Sequence, residues 1–222
     1  MKSVALTAVL GILAIGAASC EESSAKKDGA KKPTLPKIKM KENPVDAKGV
    51  PKGYQTITLG GGCFWCVEAV YQQLEGVHSA KSGYMGGFVA NPTYEQVCAK
   101  NTGHVEVVQL VYDPKKLPTS DLLAWFWELH DPTTKDRQGA DVGPQYRSVI
   151  FFHSDAQKKD GEASMKAAQA LFKAPIVTDI RKADVFYLAE DYHQNFYFLN
   201  RKKNGYCRVV IEPKLLKLKL KH

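Results

Sequence analysis

The order of apolar and polar positions after residue 53 predicts alternating strands and helices. A β-rich run over residues 54–59 ends at three consecutive glycines. Apolar residues then recur at the i, i+3, i+4, i+7 spacing of an amphipathic helix. Residues 104–112 are apolar on both faces, which is typical of a central strand that is covered on both sides. The residues that carry the helical spacing are Val67, Val70, Tyr71 and Leu74.

The same alternation continues toward the C-terminus. Ser154 and Gln157 have the spacing of a capping box, which predicts a helix from that point to about residue 172. The loops over residues 86–103 and 130–145 are long for connectors, and long loops in compact domains tend to be functional. The other predicted elements are strands over 77–84, 146–152, 176–180, 185–187 and 208–211, and helices over 120–129 and 190–199.

The charge of the chain is concentrated near its ends. The formal net charge is +8, from 31 Lys and Arg against 23 Asp and Glu. Residues 21–52 hold nine lysines against five acids, and residues 213–222 hold four lysines and no acid. The stretch between them is nearly neutral, so the charge does not predict a nucleic-acid-binding face.

The N-terminal residues have the pattern of an export signal. Lys2 precedes an uncharged apolar run over residues 4–18, which is too short to span a bilayer comfortably. Small residues then lead to Cys20, and this junction resembles the lipobox of bacterial lipoproteins, although Ala17 stands where a Leu is usual. Cleavage without lipidation, or a retained membrane segment, are the alternatives.

We therefore expect four segments along the chain. Residues 1–19 form a signal peptide, and residues 20–52 form a flexible, Lys- and Pro-rich tether that begins at a lipidated Cys20. Residues 53–212 form the folded domain, and residues 213–222 form a basic tail. We expect the mature protein on the periplasmic or cell-surface side, anchored by its lipid, or alternatively soluble in the periplasm.

Cys63 is the first candidate for chemistry. It follows three glycines at a strand-to-helix junction, where unpaired amides and the helix dipole favour a thiolate of lowered pKa. Cys63 and Cys66 form a Cys-x-x-Cys pair with three interpretations. The first is half of a zinc site, although the chain holds no second Cys-x-x-Cys pair that would supply the other ligands. The second is a thioredoxin-like redox pair. The third is a nucleophile, Cys63, beside an aromatic surface made by Phe64 and Trp65.

A set of motifs in fixed order supports the third interpretation. Together they cover about residues 54–207, and the chain resembles the A-type peptide methionine sulfoxide reductases. The motifs are Gly61-Gly62-Cys63-Phe64-Trp65, Gly83-Tyr84-Met85-Gly86-Gly87, Asn91-Pro92-Thr93-Tyr94-Glu95, Thr102-Gly103-His104-Val105-Glu106, His130-Asp131-Pro132, Gln145-Tyr146-Arg147-Ser148 and Tyr192-His193-Gln194.

The resemblance implies a role for each matched residue. Cys63 is the nucleophile, and Glu106 is the acid. The apolar strand around Glu106 gives an independent reason for a raised carboxyl pKa. Tyr94 and Tyr146 point their hydroxyls at the sulfoxide oxygen. The remaining matches concern substrate binding: Phe64 and Trp65 hold the methyl end of the side chain, and Asp141 lies near the substrate backbone.

The resemblance also implies how the enzyme is regenerated. Cys63 becomes a sulfenic acid, which condenses with a second thiol. Cys207 matches the family's recycling cysteine, and Cys66 is its rival; the sequence leaves both open. Thioredoxin or a thioredoxin-like protein is the expected reductant, and no metal or organic cofactor is needed.

The expected fold is α+β, a two-layer, ferredoxin-like plait with a mixed sheet. The expected substrates are the S epimer of methionine sulfoxide, free or in exported proteins, and we expect a monomer. Two other functions stay open: a thiol–disulfide oxidoreductase that uses Cys63 and Cys66, and a non-catalytic lipoprotein that binds methionine-rich peptides.

Overall fold

The computed structural model describes residues 50–222. The predicted signal peptide, the predicted lipidation site at Cys20 and residues 20–49 of the predicted tether lie outside the described residues. Within the described part of the chain, none of the helices combines the length and the apolar character that crossing a membrane requires.

The described residues form a six-stranded sheet and a two-stranded hairpin. The sheet strands are β1 (Gln55–Gly60), β2 (Val77–Met85), β3 (Val105–Tyr112), β6 (Val149–Phe152), β7 (Asp179–Lys182) and β8 (Tyr187–Leu188), and the hairpin strands are β4 (Arg137–Gln138) and β5 (Asp141–Val142).

Six α-helices and several short turns connect these strands in residues 50–222. The helices are α1 (Phe64–Tyr71), α2 (Tyr94–Cys98), α3 (Thr119–Leu129), α4 (Asp155–Ala168), α5 (Phe196–Asn200) and α6 (Glu212–Lys217). The turns are 3-10 helices at Pro144–Tyr146, Gln169–Leu171 and Asp191–His193, and a π-helix at Cys207–Ile211 that runs directly into α6.

The strand order confirms the predicted plait. The sheet order is β7-β6-β1-β3-β2-β8, and β3 lies antiparallel between β1 and β2. The β1–α1–β2 unit is therefore split by β3, and the β3–α3–β6 unit is split in the same way by β1, which is the ferredoxin-like arrangement. The parallel pairing of β6 with β7 makes the sheet mixed.

The central strand β3 is buried on both faces, as its sequence predicts. Val108 and Leu110 belong to the main core together with α1 and α3. Val107 faces the other way, into a smaller cluster that contains Val149 and Phe151. Glu106 is also buried in this strand, but unlike its apolar neighbours it carries a carboxyl group.

The C-terminal segment differs from the expectation. The predicted strand over residues 208–211 is wrong, because Cys207–Ile211 and α6 are helical. Ile211, Leu215 and Leu218 follow one another at helical spacing and are all buried in the main core. Burial of this helical face outweighs the intrinsic preference of Val and Ile for strands. Residues 213–222, expected as a basic tail, thus pack against the domain.

The predicted helix over residues 190–199 is interrupted. Asp191–His193 form a 3-10 turn, and α5 begins only after Asn195, whose φ is +53°. An asparagine tolerates this left-handed conformation better than most residues do. The break turns the side chains of His193 and Phe196 toward the start of α1.

The junction between β1 and α1 depends on a glycine. Gly62 has a φ of +92°, a conformation that residues with a side chain rarely adopt. A Cβ at this position would lie 2.6 Å from Cγ of Gln138. The glycine therefore allows the loop that carries Gln138 to close over the chain immediately before Cys63.

Replacement of Gly62 by alanine should destabilise the protein more than replacement of Gly139. Both glycines have positive φ, but a Cβ at Gly139 meets nothing within 4 Å. Gly139→Ala should lower the free energy of unfolding by roughly 1–2 kcal/mol through backbone strain alone. Gly62→Ala adds the clash with Gln138. Denaturant unfolding of both variants measures the difference, and equal losses would contradict the role of the Gln138 contact.

Candidate active site

A cavity of about 190 Å³ opens at the start of α1. It gathers side chains from helices, strands and loops that are far apart in sequence. Its lining residues are Cys63, Phe64, Trp65, Tyr94, Glu106, Asp141, Tyr146 and Tyr206. Seven of these eight were predicted from sequence; Tyr206 was not. Cys66 and Cys207, the two predicted resolving cysteines, are buried outside this lining.

Glu106 places a protonated carboxyl group in the cavity. Its side chain is 1% exposed, and Oε2 accepts a hydrogen bond of 3.1 Å from the backbone N–H of Phe64. Burial raises the pKa of Glu106 to about 8, since the hydrogen bond from Phe64 only partly offsets the loss of water. At neutral pH most molecules therefore hold a neutral acid at this position.

The two sulfurs of the Cys-x-x-Cys pair share a hydrogen bond. Burial raises the pKa of Cys63 well above its usual range, and the hydrogen bond with Cys66 and the nearby Glu106 carboxyl group raise it further. The hydrogen bond from Cys63 lowers the pKa of Cys66 to about 6, and Lys214 contributes. The resting pair thus has its proton on Cys63 and its negative charge on Cys66.

This distribution corrects the expectation of a Cys63 thiolate at rest. The expectation rested on free amides at the start of α1. The structure shows that the amide of Phe64 is bonded to Glu106, so it does not stabilise the Cys63 sulfur. Cys63 therefore holds a proton in the resting pair, and Cys66 is the hydrogen-bonded group that can accept this proton.

Two tyrosines, Tyr94 and Tyr146, line the same cavity. Tyr94 begins α2, whose N-cap Thr93 forms a capping box with Gln96. The backbone N–H of Tyr94 donates a 2.9 Å hydrogen bond to Glu190. Burial raises the pKa of both Tyr94 and Tyr146 above the usual range, so both hydroxyls remain protonated donors.

An aromatic wall forms the apolar side of the cavity. The Trp65 ring stacks on Phe196, with 3.6 Å between ring centroids and 5° between planes. Trp65 Nε1–H donates a 3.1 Å hydrogen bond to Nδ1 of His193. The His193 ring also lies 4.9 Å from Phe64 and 4.5 Å from Tyr94. A methyl or methylene group would pack against this wall.

Glu68 fixes the position of that wall. Its carboxylate accepts the backbone N–H groups of Asn195 and Phe196, at 3.1 and 3.3 Å. Burial raises the pKa of Glu68 to about 7. The helix that carries both cysteines is therefore bonded directly to the segment that supplies His193 and Phe196.

Asp141 closes the cavity on the opposite side. It begins β5, and its Oδ2 accepts a 2.7 Å hydrogen bond from the Tyr206 hydroxyl. The Tyr206 hydroxyl also forms a hydrogen bond with the Cys63 sulfur. The resemblance had placed Asp141 near the substrate backbone; in the structure it positions Tyr206 beside the reactive sulfur.

Sequence reasoning missed Tyr206, His193 as a partner of Trp65, and Phe196. Tyr206 precedes the predicted recycling cysteine directly, and this adjacency was the available signal. The contact between Trp65 and His193 joins residues 128 positions apart, and no local pattern marks it. In residues 50–222, no group of three or more His, Cys, Asp or Glu side chains is arranged to hold a metal ion.

The fold and the cavity together define a cysteine-dependent redox enzyme. A thiol, a protonated carboxyl group and two tyrosines line a space bounded by aromatic rings. Such a site is suited to moving an oxygen atom from a small polar group onto sulfur.

Comparison with known proteins gives the family. The family model for peptide methionine sulfoxide reductases matches residues 55–222, so the chain belongs to this family and is a methionine sulfoxide reductase. It is 50% identical over 163 residues to peptide methionine sulfoxide reductase MsrA of Saccharolobus solfataricus, covering 73% of this chain and 92% of the relative. It is 51% identical over 160 residues to MsrA of Thermus thermophilus, covering 72% and 90%.

A solved structure agrees with this assignment. The crystal structure of Mxr1 from Saccharomyces cerevisiae in reduced form superposes with a TM-score of 0.68 at 35% sequence identity. The superposition covers 71% of this chain and 92% of Mxr1. Methionine sulfoxide reductase A of Corynebacterium diphtheriae superposes with a TM-score of 0.61 at 33% identity, covering 68% of this chain and 77% of that chain, so the α+β plait seen here is also the fold of a methionine sulfoxide reductase.

The protonated state of Glu106 should control the pH dependence of the chemical step. Because Glu106 is expected to act as the acid and its pKa is about 8, the single-turnover rate of sulfoxide reduction should fall as the pH rises through 8. Glu106→Gln should lower that rate by about 10²- to 10⁴-fold and remove the decline. Rapid-quench measurements from pH 6 to 9.5 test this, and an unchanged decline in Glu106→Gln would contradict it.

Proposed function

We propose that this chain reduces the S epimer of methionine sulfoxide, free and in proteins, with Cys63 as the attacking sulfur. The observation that carries the proposal is the neutral carboxyl group of Glu106 in the same 190 Å³ cavity as the Cys63 thiol. The membership of the family supports the reaction class. The preference for the S epimer comes from the resemblance to A-type enzymes.

The substrate would bind with its methyl group against Phe64 and Trp65. Its oxygen would then face the acid Glu106 and the hydroxyls of Tyr94 and Tyr146, which stabilise the charge that develops on it. Cys63 gives its proton to Cys66 and attacks the sulfoxide sulfur, while Glu106 protonates the oxygen. The oxygen ends on Cys63 as a sulfenic acid, and methionine leaves, reduced by two electrons.

The oxidised enzyme needs a thiol for regeneration. The sulfenic acid condenses with a second cysteine and releases water, which leaves a disulfide. An external dithiol restores the enzyme by thiol–disulfide exchange. We propose thioredoxin or an exported thioredoxin-like protein as this reductant, because the chain itself supplies only cysteine chemistry, and we expect the enzyme to act as a monomer.

Purified protein should produce methionine from the S sulfoxide when dithiothreitol is present, and far less from the R sulfoxide. Cys63→Ser should abolish product formation because the nucleophile is lost. Cys66→Ala should still form methionine in a single turnover, but more slowly, because the group that accepts the Cys63 proton is lost. This last variant separates the proposed enzyme from a thiol–disulfide oxidoreductase, for which loss of Cys66 would leave no activity on a sulfoxide. Chromatographic separation of the two epimers provides the measurement.

We further propose that the enzyme is exported and held at a membrane through a lipidated Cys20. The support is the apolar run over residues 4–18, the small residues before Cys20 and the Lys-rich residues 21–52. All of these precede the part that the family model matches, which begins at residue 55. Such a lipid anchor with a long polar tether would allow the active site to reach oxidised exported proteins.

Replacement of Cys20 by alanine should move the enzyme from the membrane fraction to the soluble fraction of the producing cell. The reductase activity per molecule should not change, because Cys20 lies outside the domain that forms the site. Mass spectrometry of the N-terminal peptide should detect acyl chains on Cys20 in the unmodified protein. A Cys98→Ala variant that stays in the membrane fraction is the control, and an unacylated, soluble parent protein would contradict the anchor.

A further inference from the structure

Glu190 is a charged side chain that lies at the edge of the active site without lining the cavity. It directly precedes the 3-10 turn Asp191–His193, and its side chain is 32% exposed. Burial works to raise the pKa of Glu190, but the hydrogen bonds from the Tyr94 amide and the Tyr84 hydroxyl help to hold this pKa below its usual range. Glu190 is therefore a carboxylate at neutral pH, in contrast to the neutral acid Glu106.

One carboxylate oxygen of Glu190 holds the start of α2. Oε1 accepts the backbone N–H of Tyr94 at 2.9 Å. Tyr94 is the first residue of α2, so this amide has no partner within its own helix. The carboxylate thus fixes the backbone that carries the Tyr94 hydroxyl, one of the two donors proposed for the sulfoxide oxygen.

The other oxygen ties Glu190 to the strand beside the catalytic acid. Oε2 accepts a 2.9 Å hydrogen bond from the Tyr84 hydroxyl. Tyr84 lies on β2 directly opposite Glu106 in the pairing of β2 with β3, and Tyr84 is fully buried. The position of Glu190 is therefore fixed relative to the acid, although Glu190 itself is partly exposed.

The same oxygen acts on the aromatic wall through His193. Oε2 lies 3.8 Å from Nε2 of His193, a buried atom that has no hydrogen-bond partner among residues 50–222. Burial lowers the pKa of His193, so the ring is neutral at neutral pH. Because Nδ1 accepts the Trp65 Nε1–H at 3.1 Å, the ring proton is on Nε2. The negative charge of Glu190 favours this tautomer, which provides the acceptor for Trp65.

We propose that Glu190 is a positioning residue for sulfoxide reduction, which holds Tyr94 through its backbone and Trp65 through His193. This inference rests on the proposed function, because that function assigns Tyr94 to the sulfoxide oxygen and Trp65 to the methyl group. Both substrate groups are bonded to the same sulfur atom. A change in the distance between Tyr94 and Trp65 therefore misplaces one of the two groups, and a small misplacement is costly in rate.

Replacement of Glu190 by alanine and by glutamine separates its two effects. Glu190→Ala should lower the saturating single-turnover rate of reduction about 10- to 100-fold and raise the half-saturating concentration of the S sulfoxide. Glu190→Gln keeps an oxygen that accepts the Tyr94 amide but loses the charge beside His193. It should retain most of the saturating rate and still raise the half-saturating concentration. Rapid-quench measurements over a range of sulfoxide concentrations give both quantities.

Double variants test whether Glu190 acts through the two residues it is proposed to hold. In Tyr94→Phe the hydroxyl is already absent, so adding Glu190→Ala should lower the saturating rate little further. In Trp65→Phe the Nε1–H is absent, so adding Glu190→Gln should raise the half-saturating concentration little further. Full, independent losses in both double variants would show that Glu190 does not act through Tyr94 and Trp65.

Glu95→Gln is the matched control for charge. Glu95 is exposed, lies next to Tyr94 in the sequence and also contributes to the negative charge near His193. Its replacement should leave the saturating rate and the half-saturating concentration unchanged. If Glu95→Gln had the same effects as Glu190→Gln, local negative charge would be their cause, and the positioning role would be overturned.

A loss of stability has to be separated from a loss of positioning. Glu190→Ala leaves the Tyr84 hydroxyl without its acceptor, and such a loss destabilises a folded protein. Denaturant unfolding identifies the conditions in which each variant is folded, and the half-saturating concentration of Glu190→Gln decides the question if Glu190→Ala does not fold. Unchanged kinetics in the folded Glu190 variants would overturn the inference and leave the proposed function intact. Absence of methionine from the unmodified protein would instead refute the proposed function.

Discussion

The hydrogen bond between the Phe64 amide and the Glu106 carboxyl group links the two halves of the catalytic site. It joins the start of α1, where both reactive sulfurs lie, to the central strand β3, which carries the acid. Because β3 is paired on both sides with β1 and β2, the carboxyl group has little freedom to move. A buried carboxyl group requires a polar partner, and the first amide of α1 is that partner. Because the Phe64 amide donates this hydrogen bond to Glu106, it stabilises the carboxyl group and not the Cys63 sulfur.

The positions of the protons follow from this arrangement. At neutral pH Glu106 is mostly neutral, since its pKa is about 8, while Cys66 is mostly ionised, since its pKa is about 6. Burial permits one negative charge in so small a volume far more readily than two. With the charge on Cys66, the carboxyl group of Glu106 and the hydroxyls of Tyr94 and Tyr146 keep their protons and can donate them to an oxygen. The structure is thus prepared for a substrate whose oxygen needs a proton, and binding of that substrate favours transfer of the Cys63 proton to Cys66.

The strongest periodic patterns in the sequence predicted the elements that hold the site. The strand before the three glycines and the doubly buried β3 were predicted to within one residue at each end, because each is defined by its own local pattern. The helix after the glycines was predicted as well, but its apolar spacing extends to Leu74, whereas α1 ends at Tyr71. Cys63, Glu106 and the two tyrosines came from local motifs, and the structure brings them together in one cavity. The failures are contacts over long sequence distances. Phe196 contacts Trp65 only because Asn195 interrupts the predicted helix. The segment 208–211 is rich in β-branched residues, yet it is helical because burial of Ile211, Leu215 and Leu218 in the core prevails.

The C-terminal segment also helps to explain which sulfur of the Cys-x-x-Cys pair is ionised. The position of the pair at a helix start suggests Cys63, whereas the structure favours Cys66. A helix dipole acting alone favours a negative charge on the sulfur nearest the first turn, which is Cys63. In this fold the amide at that end is occupied, and the ammonium group of Lys214 arrives from a different element and contacts the second sulfur. Lys214, which the sequence analysis assigned to a basic tail, therefore adds to the effect of the Cys63 hydrogen bond and favours ionisation of Cys66. The charge distribution of the pair depends both on the hydrogen bond within the Cys-x-x-Cys motif and on the packed C-terminus.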